Sequence, residues 1–425
     1  MDAVAVLDEI AAANPASRHP VHDLVELLQR AGQITAIPRL LQVALALRPG
    51  DAGLWAALGA ALSEHGEAAA MVGAFRRATQ LRPGEAAAWS NLGKALAAAG
   101  DDMAAEDAFA RSARLAPADA QLRLNHAVAR LRTGRLAEGW PLFRARHALA
   151  GRAPPPPGPE LTNLAGVSSG ETVVLVHDEG FGDTIQFIRF VPLLAAKGVR
   201  VVSAVPPPLQ RLLVQNGMAL AGAADQGAAW CRIPDLPAVF GTEAGTIPAT
   251  LPYLAADPAA AAAWARRLPA GRRVGLVWAG GARAHDPAAA ATDRVRSLRR
   301  ERVTPLLAVP GITWVSLQHG QTAPVGVSDP MPEVQDFADT AAIIAGLDLV
   351  VSVDTAVAHL AAAMGRPVLL LDRFDNCWRW MRGRVDSPWY PGVLHIIRQS
   401  RPGDWDGVLQ RAATLLREEA NWPSG

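Results

Sequence analysis

Apolar positions in the first third of the chain recur at the spacing of amphipathic helices. Trp55, Leu58 and Leu62 lie at positions i, i+3 and i+7, which fall on one stripe of a helix. A second helical stretch follows, with Ala74 and Phe75 among its apolar positions. Small alanines allow two helices to approach closely, and a phenylalanine fills the space that remains between them. This pattern predicts helices that pack in pairs.

The helical pattern returns every 34 residues. The recurring positions are prolines (Pro49, Pro83, Pro117), glycines (Gly32, Gly66, Gly100, Gly134) and a leucine or phenylalanine (Leu41, Phe75, Phe109, Phe143). Together with the W-x2-L-G motif at Trp55 and Trp89, this period is typical of tetratricopeptide repeats. We predict about four repeats between Val21 and Leu149, and the last is degenerate because Arg123 stands in place of the tryptophan. Stacked repeats form a groove, which we expect to bind a protein partner.

Downstream of a proline-rich segment, short β-branched runs alternate with helix-length stretches. The first series contains ETVVLV and VRVVSAV, and the second contains RRVGLVWAGG, ITWVSLQHG, DLVVSVD and PVLLLDRF. Such alternation is typical of parallel α/β sheets. We therefore predict an α + α/β protein, with helical repeats in residues 1–150, a proline-rich linker in 151–160, and Rossmann-like lobes in 161–265 and 266–425, the second ending in a helix. Ligands of such sheets bind at the carboxyl ends of the strands, so we expect a cleft between the lobes.

Composition narrows the classes of function. The 425 residues include 41 Lys and Arg and 40 Asp and Glu, a net charge of +1, which argues against a protein built mainly to bind nucleic acid. Cys231 and Cys377 are too few for a disulfide framework or a cysteine-based zinc site, and they favour a reducing compartment. No apolar run is long enough for a membrane span, and the acidic start is unlike a secretory signal. We expect a cytoplasmic protein.

The first candidate site is the loop HDEGFGDT, which lies between a predicted strand and a predicted helix. Gly180 and Gly182 allow this loop to turn tightly and to approach a ligand. The loop is not a dinucleotide fingerprint, because Ile185 holds the position of the third glycine. Asp183 begins the helix, where it is either an N-cap or a general base at the cleft.

The second candidate site is the stretch VSVDTAVAHL, in which a buried strand runs directly into a helix. The free N–H groups and the positive dipole end of such a helix suit a diphosphate, and the Thr355 hydroxyl adds a donor. His359 lies on the same face of the helix. The alternatives are an N-cap role for Asp354 and a core position for His359.

These two stretches carry a resemblance to a known family. GFGDTIQFIRFVPLLAAKG and VSVDTAVAHLAAAMGRPVLLL resemble the signature stretches of glycosyltransferase family 9, the heptosyltransferase group. The whole chain is similar to tetratricopeptide-repeat proteins that carry such a domain, and in architecture to O-linked N-acetylglucosamine transferases. The resemblance implies a GT-B fold with the acceptor at the first lobe and a nucleotide-diphosphate sugar at the second. It also implies an inverting reaction with no metal and no other cofactor.

The resemblance also implies roles for individual residues. Asp183 matches the catalytic base of the family, and Asp354, Thr355 and His359 match its donor motif. Arg296 and Ser297 resemble a basic segment that faces the donor diphosphate, although an alanine-rich insertion precedes them and also holds His285 and Asp286. The remaining candidates for sugar or base contacts are Gln318, Trp378 and Arg379. For Arg296 the alternative is an exposed loop arginine. For Trp378, and for Trp380 and Trp389 in the same loop CWRWMRGRVDSPWYPG, the alternative is packing beneath that loop. Asp404-Trp405-Asp406 precedes a helix and is predicted to cap it rather than to bind a metal.

We therefore predict a glycosyltransferase whose repeats dock a protein acceptor. One alternative is a non-catalytic adaptor whose α/β lobes still bind a nucleotide, which the alanine-rich insertion favours. Another is a transferase that acts on a glycan or a lipid. Self-association of the repeats stays open.

Overall fold

The computed structural model describes residues 25–418, apart from 27, 31, 33, 65–66, 150, 152–153 and 282–286. Val21, His285 and Asp286 therefore lie outside the described residues. The chain divides into a first unit, Met1–Thr133 with Leu142–Ala150, and a second unit, Gly134–Pro141 with Gly151–Gly425. Among the described residues, no helix combines the length and the apolar character needed to cross a membrane.

Helical pairs make up the first unit. Its helices are α1 (Ile37–Leu47), α2 (Ala52–Glu64), α3 (Ala68–Leu81), α4 (Ala86–Ala99), α5 (Asp102–Leu115) and α6 (Ala120–Arg132). The starts of α2, α4 and α6 are 34 residues apart, since 86 − 52 and 120 − 86 both equal 34. The indole N–H groups of Trp55 and Trp89 donate to the carbonyls of Pro49 and Pro83 at 2.9 Å. The predicted tetratricopeptide-type repeat is confirmed.

The Leu-Gly pair of the repeat motif has a packing role. A Cβ atom on Gly59 would lie 2.7 Å from the ring of Phe75, and one on Gly93 would lie 2.8 Å from the ring of Phe109. In both of these repeats, the glycine on the first helix thus gives space to the phenylalanine on the second. Gly100 ends α4 with a φ of 89°, a left-handed conformation that glycine adopts without strain.

The second unit contains two parallel sheets. The first lobe holds β1 (Thr172–Val176), β2 (Arg200–Ala204), β3 (Ala219–Leu220) and β4 (Ala229–Arg232), in the order β3-β2-β1-β4. The second lobe holds β5 (Arg272–Val277), β6 (Ile312–Ser316), β7 (Leu349–Val353), β8 (Val368–Asp372) and β9 (Leu394–Arg398), in the order β6-β5-β7-β8-β9. All pairings between these strands are parallel, as the alternation of strands and helices predicted.

Helices precede, connect and follow these strands. Between Leu136 and Arg267 they are α7 (Leu136–Phe143), α8 (Phe181–Phe187), α9 (Val191–Ala195), α10 (Pro207–Gln215), α11 (Leu236–Val239) and α12 (Pro258–Arg267). In the second lobe they are α13 (Pro287–Arg296), α14 (Thr304–Leu307), α15 (Phe337–Ala345), α16 (Ala356–Ala363) and α17 (Trp405–Arg417). Helix α17 begins at an Asp404 cap, whose carboxylate accepts from Gly407 N at 3.1 Å, as predicted.

Two details differ from the sequence pattern. The stretch after Asp183 reads as one helix, but it is broken into α8, a 3-10 turn at residues 188–190, and α9. Pro192 lies within the first two residues of α9, and its missing N–H cannot continue the hydrogen-bond ladder of α8. Strands β3, β4 and β9 were not predicted. The first two are 2 and 4 residues long and lack a β-branched run.

Candidate functional site

A cavity of about 300 Å³ lies at the carboxyl ends of β5 and β6 and at the starts of α15 and α16. Its second-lobe walls include Val277, Leu317, Gln318, His319, Met331, Phe337, Thr355 and Ala356. Phe181 and Pro208 of the first lobe complete it. The walls are thus mainly apolar, with a few polar groups and a helix start, as is usual for sites that bind a small molecule.

The start of α16 faces this cavity, but Asp354 does not cap the helix. The N-cap is Thr355, which makes no side-chain cap hydrogen bond, and its hydroxyl lies 3.0 Å from Ser352 Oγ. The alternative role for Asp354 as an N-cap is therefore wrong. The first N–H groups of a helix have no partner within the helix, and they present partial positive charge to a ligand.

Two predicted donor-binding side chains, Arg296 and Ser297, and the predicted sugar or base contact Gln318 hold the backbone around the cavity. Arg296 donates to the carbonyl of Asp354 at 2.8 Å and pairs with Asp293 at 2.6 Å. The Ser297 hydroxyl accepts from Gly280 N at 3.0 Å. The Gln318 amide oxygen accepts from the N–H groups that follow β5, at 3.1 and 2.8 Å. Gln318 and the strand end thus form one rigid wall.

Asp183 lies in the first turn of α8, where Gly180 is the N-cap. One carboxylate oxygen of Asp183 accepts from Gly180 N at 3.0 Å, and the other is ion-paired with Arg379 of the second lobe. The alternative role for Asp183 as an N-cap is therefore wrong, because the carboxylate reaches back from the third helical position. Sequence analysis also missed the turn residue Glu179, which has a φ of 65°.

Gly182 brings α8 and α16 together. A Cβ atom at this position would lie 2.9 Å from His359 Cδ2 and 3.4 Å from Ala356 Cα. Gly182 was predicted to let the loop approach a ligand, but in the structure it lets α8 approach α16. The contact sets the Asp183 helix against the start of α16.

His359 is buried and has protein neighbours. Its Nδ1 lies 2.9 Å from Tyr390 Oη, and its ring stacks on Trp380 at 5.1 Å. Burial, helped by the positive charge of Arg379, lowers the pKa of His359 to about 3. The imidazole is therefore neutral at physiological pH and has the surroundings of a core histidine.

Arg379 and Trp378 follow β8 in a short 3-10 turn. Arg379 Nε donates to Gln186 Oε1 at 2.7 Å, and the guanidinium carbon lies 4.4 Å from the centre of the Trp378 ring. Although burial opposes the charge, the Asp183 carboxylate holds the pKa of Arg379 above its usual value. Trp378 is 4% exposed and packs edge-on against Trp140 and Trp389. Trp378 is therefore a packing residue beneath the loop, as the alternative interpretation had it.

Sequence analysis missed Arg189, the buried centre of a second network between the lobes. It donates to the carbonyl of Pro248 at 3.2 Å and to Tyr253 Oη at 3.0 Å, and it also bonds the carbonyl of Trp389. Tyr253 and Tyr390, the two tyrosines of the chain, meet at 3.5 Å. An arginine within the apolar run FIRFV is the one signal that points to such a residue.

An exposed ion pair also joins the lobes beside the cavity. Arg211 of α10 donates to both carboxylate oxygens of Asp336, at 2.8 and 2.6 Å, and it pairs with Asp339 at 2.5 Å. Asp336 lines the cavity and caps α15. Nothing in the sequence pattern indicated this pair.

Residues 332–372 match the family described as Glycosyltransferase family 9 (heptosyltransferase). This stretch is a short part of the chain, and over it the sequence is similar to glycosyltransferase family 9. It runs from the residues before α15 to the end of β8, and thus includes Asp354, Thr355 and His359 of the predicted donor motif. The chain therefore combines tetratricopeptide-type repeats with two α/β lobes, the arrangement of a GT-B fold, and the second lobe contains the stretch that matches family 9.

Similarity to other proteins extends over more of the chain. Protein FlbA of Caulobacter vibrioides is 26% identical over 342 residues, which cover 71% of this chain and 56% of FlbA. The chain thus spans little more than half the length of this relative. The crystal structure of MamA, at 20% identity and a TM-score of 0.30, covers 33% of this chain and 81% of MamA. YrrB is described as a TPR protein with an unusual peptide-binding site. Its structure matches at 17% identity and a TM-score of 0.30, and the match covers 33% of this chain and 73% of the YrrB chain.

Proposed function

We propose that this protein transfers a sugar from a nucleotide-diphosphate donor to an acceptor hydroxyl or amide. The contact of Gly182 with α16 carries the proposal. It sets the helix that bears Asp183, a carboxylate suited to general-base work, against a helix start suited to a diphosphate, and this supports assigning both to one site. The family 9 match of residues 332–372 supports the same reaction class.

The donor would occupy the cavity, with its diphosphate at the start of α16. The apolar walls around Phe181, Met331 and Phe337 suit the flat face of a nucleobase. The Thr355 hydroxyl and the first N–H groups of α16 would donate to phosphate oxygens. Arg296, which bonds the carbonyl of Asp354, adds positive charge beside that helix start. We expect the reaction to need no metal, as the family resemblance implies.

Asp183 would act as the base. It would take the proton of the acceptor group as the acceptor atom forms its bond to the anomeric carbon of the sugar. The bond from that carbon to the diphosphate oxygen breaks in the same step, and the electron pair leaves with the nucleoside diphosphate. A single displacement of this kind inverts the anomeric configuration.

A protein is the acceptor that we favour, because helical repeats of this type present extended surfaces to protein partners. A glycan or lipid acceptor is the competing outcome. A non-catalytic adaptor also has an observation in its favour, since Asp183, Arg296, Ser297 and Gln318 all make internal hydrogen bonds or ion pairs.

The test compares two aspartates in similar local settings. Asp225 also accepts from the N–H three residues before it, at 2.9 Å, and also pairs with an arginine, but that arginine, Arg200, belongs to the first lobe. We expect donor-dependent thermal stabilisation and slow donor hydrolysis by the wild type with at least one of the UDP-, GDP-, CMP- and ADP-linked sugars. Asp183→Asn should keep the stabilisation and lose turnover by about 100-fold or more, whereas Asp225→Asn should keep both.

Each failure has its own meaning. Stabilisation without turnover by the wild type would favour the adaptor. Neither stabilisation nor turnover with any donor would overturn the proposal. Sugar transfer to a purified glycan or lipid, with none to a protein captured by the full chain, would replace the protein acceptor.

A further inference from the structure

The two oxygens of the Asp183 carboxylate are held from different lobes. The bond from Gly180 N comes from the same turn, at 3.0 Å, whereas the ion pair with Arg379 reaches across to the second lobe. The Asp183 side chain is only 17% exposed. A carboxylate held on both oxygens has one orientation, so the direction of its remaining lone pairs is fixed by where Arg379 lies.

Arg379 is itself held in place on every side. Its Nε donates to Gln186 Oε1 at 2.7 Å, its Nη1 contacts Cys377 Sγ at 3.1 Å, and its Nη2 faces Asp183. The Trp378 ring covers one face of the guanidinium at 4.4 Å. With 12% of the side chain exposed, Arg379 has little surface left for a ligand. This is the environment of a fixed support rather than of a substrate contact.

Arg379 and Asp183 belong to different lobes. Arg379 follows β8 in the lobe that would bind the donor, whereas Asp183 lies in the first lobe. The pair thus aligns the base with the donor lobe, and the alignment does not depend on contact with the donor. Arg189, the other buried arginine between the lobes, bonds carbonyls and Tyr253 and makes no contact of this kind with Asp183.

We infer that Arg379 is a positioning residue for the transfer reaction: it orients the Asp183 carboxylate toward the acceptor and does not bind the sugar or the nucleobase. The inference rests on the proposed function. It replaces the sequence-based prediction that Arg379 contacts the donor. Gln186 and Cys377 act one step further away, because they hold Arg379.

The test separates turnover from donor binding in the full chain. We expect Arg379→Ala to lower kcat for donor hydrolysis by about 100-fold while the donor KM stays within about twofold, because orientation is lost and binding is not. Arg379→Lys should retain more activity than Arg379→Gln, since it keeps the charge. Added guanidinium ion should restore part of the activity of Arg379→Ala. Gln186→Leu, which frees one side of Arg379, should lower kcat less.

Two arginines serve as controls. Arg200→Gln removes the ion pair to Asp225 and should leave kcat and KM unchanged. Arg189→Gln should lower the melting temperature, and guanidinium should not restore its activity. Should Arg379→Ala lose its fold, Arg379→Lys and Gln186→Leu still provide the kcat and KM comparison.

The outcomes are distinct. A rise in donor KM with kcat preserved, or wild-type kinetics in Arg379→Ala, would overturn the inference and leave the proposed function intact. Absence of turnover in the wild type would instead remove the proposed function itself.

Discussion

At the scale of single residues, His359 shows how burial can decide the state of a side chain within a family motif. The four-residue spacing of Thr355 and His359 predicted one helix face, and Thr355 is indeed the N-cap of α16, with His359 inside the helix. Sequence could not reveal that Trp380 and Tyr390 enclose the imidazole, because these residues come from a loop beyond β8. A motif gives the types of residue at a site, but their partners depend on the tertiary fold.

The low pKa of His359 makes stability depend on pH. The folded protein keeps the imidazole neutral down to about pH 3, whereas the unfolded chain takes up a proton below about pH 6.5. The unfolded state thus binds more protons between these values, and the contribution of His359 falls as the pH falls through that window. Arg379, Arg189 and Arg296 oppose protonation, and Asp183 favours it.

We therefore expect the wild type to lose about 1 kcal/mol more stability than His359→Gln between pH 7 and pH 5.5. Glutamine keeps a polar group near Tyr390 but does not titrate. Urea unfolding of both proteins at the two pH values measures this difference. Equal losses in the two proteins would mean that His359 takes up its proton as readily in the folded state as in the unfolded chain.

At the scale of elements, the repeats were the most predictable part of the molecule. A period of 34 residues indicated the helices from Trp55 onward, because each repeat must place the same side chains at the same contacts. The break at Pro192 and strand β9 were less evident. The alternation of apolar residues is similar in a continuous and a broken helix, and LHIIR is a short run in a loop-rich region.

The partners within the candidate site were the least predictable feature. Asp183 and Arg379 are 196 positions apart in sequence, and Arg211 and Asp336 are 125 apart. Asp183 and Asp336 both lie at helix starts, and that position alone is enough to account for an aspartate in the sequence. Only the packing of the two sheets decides which arginine reaches which carboxylate.

Two glycines in the middle of helices test the packing role of the repeat motif. Gly93→Ala should lower the free energy of unfolding by about 1–3 kcal/mol, because its Cβ would lie 2.8 Å from the Phe109 ring. Gly73→Ala, in α3, meets nothing within 4 Å and should raise that energy by about 0.5–1 kcal/mol. Urea unfolding of the full chain compares the two. If both substitutions raise the stability, the Phe109 ring moves aside without cost.

At the scale of the whole molecule, the two units are interleaved along the sequence. Residues 134–141 pack with the second unit, although the following residues 142–150 pack with the first. Trp140 is the reason: it is 2% exposed, donates to the carbonyl of Thr242 at 2.8 Å, and meets Trp378 at 5.4 Å. The position of Trp140 in the fourth predicted repeat did not indicate that it packs with the second unit.

We expect Trp140→Ala to lower the stability of the second unit by about 3–5 kcal/mol, because it leaves a cavity beside Trp378 and removes a buried hydrogen bond. Hydrogen exchange should report the change in β8 and in residues 378–390. Trp89→Ala is the control, since Trp89 is more exposed and belongs to the first unit, so its effect should stay within the repeats. Loss of protection confined to the repeats in Trp140→Ala would contradict the expectation.

The interleaving has a consequence for how such genes can recombine. A single crossover after residue 150 would give the second unit a foreign segment 134–141, and with it a foreign side chain in place of Trp140. A crossover at residue 133 would give the first unit a foreign segment 142–150. Either exchange mixes parental contacts within one core. We therefore expect the repeats and the α/β lobes of this chain to be inherited together, and a productive chimera to need three crossovers, after residues 133, 141 and 150, so that residues 134–141 stay with their own lobes.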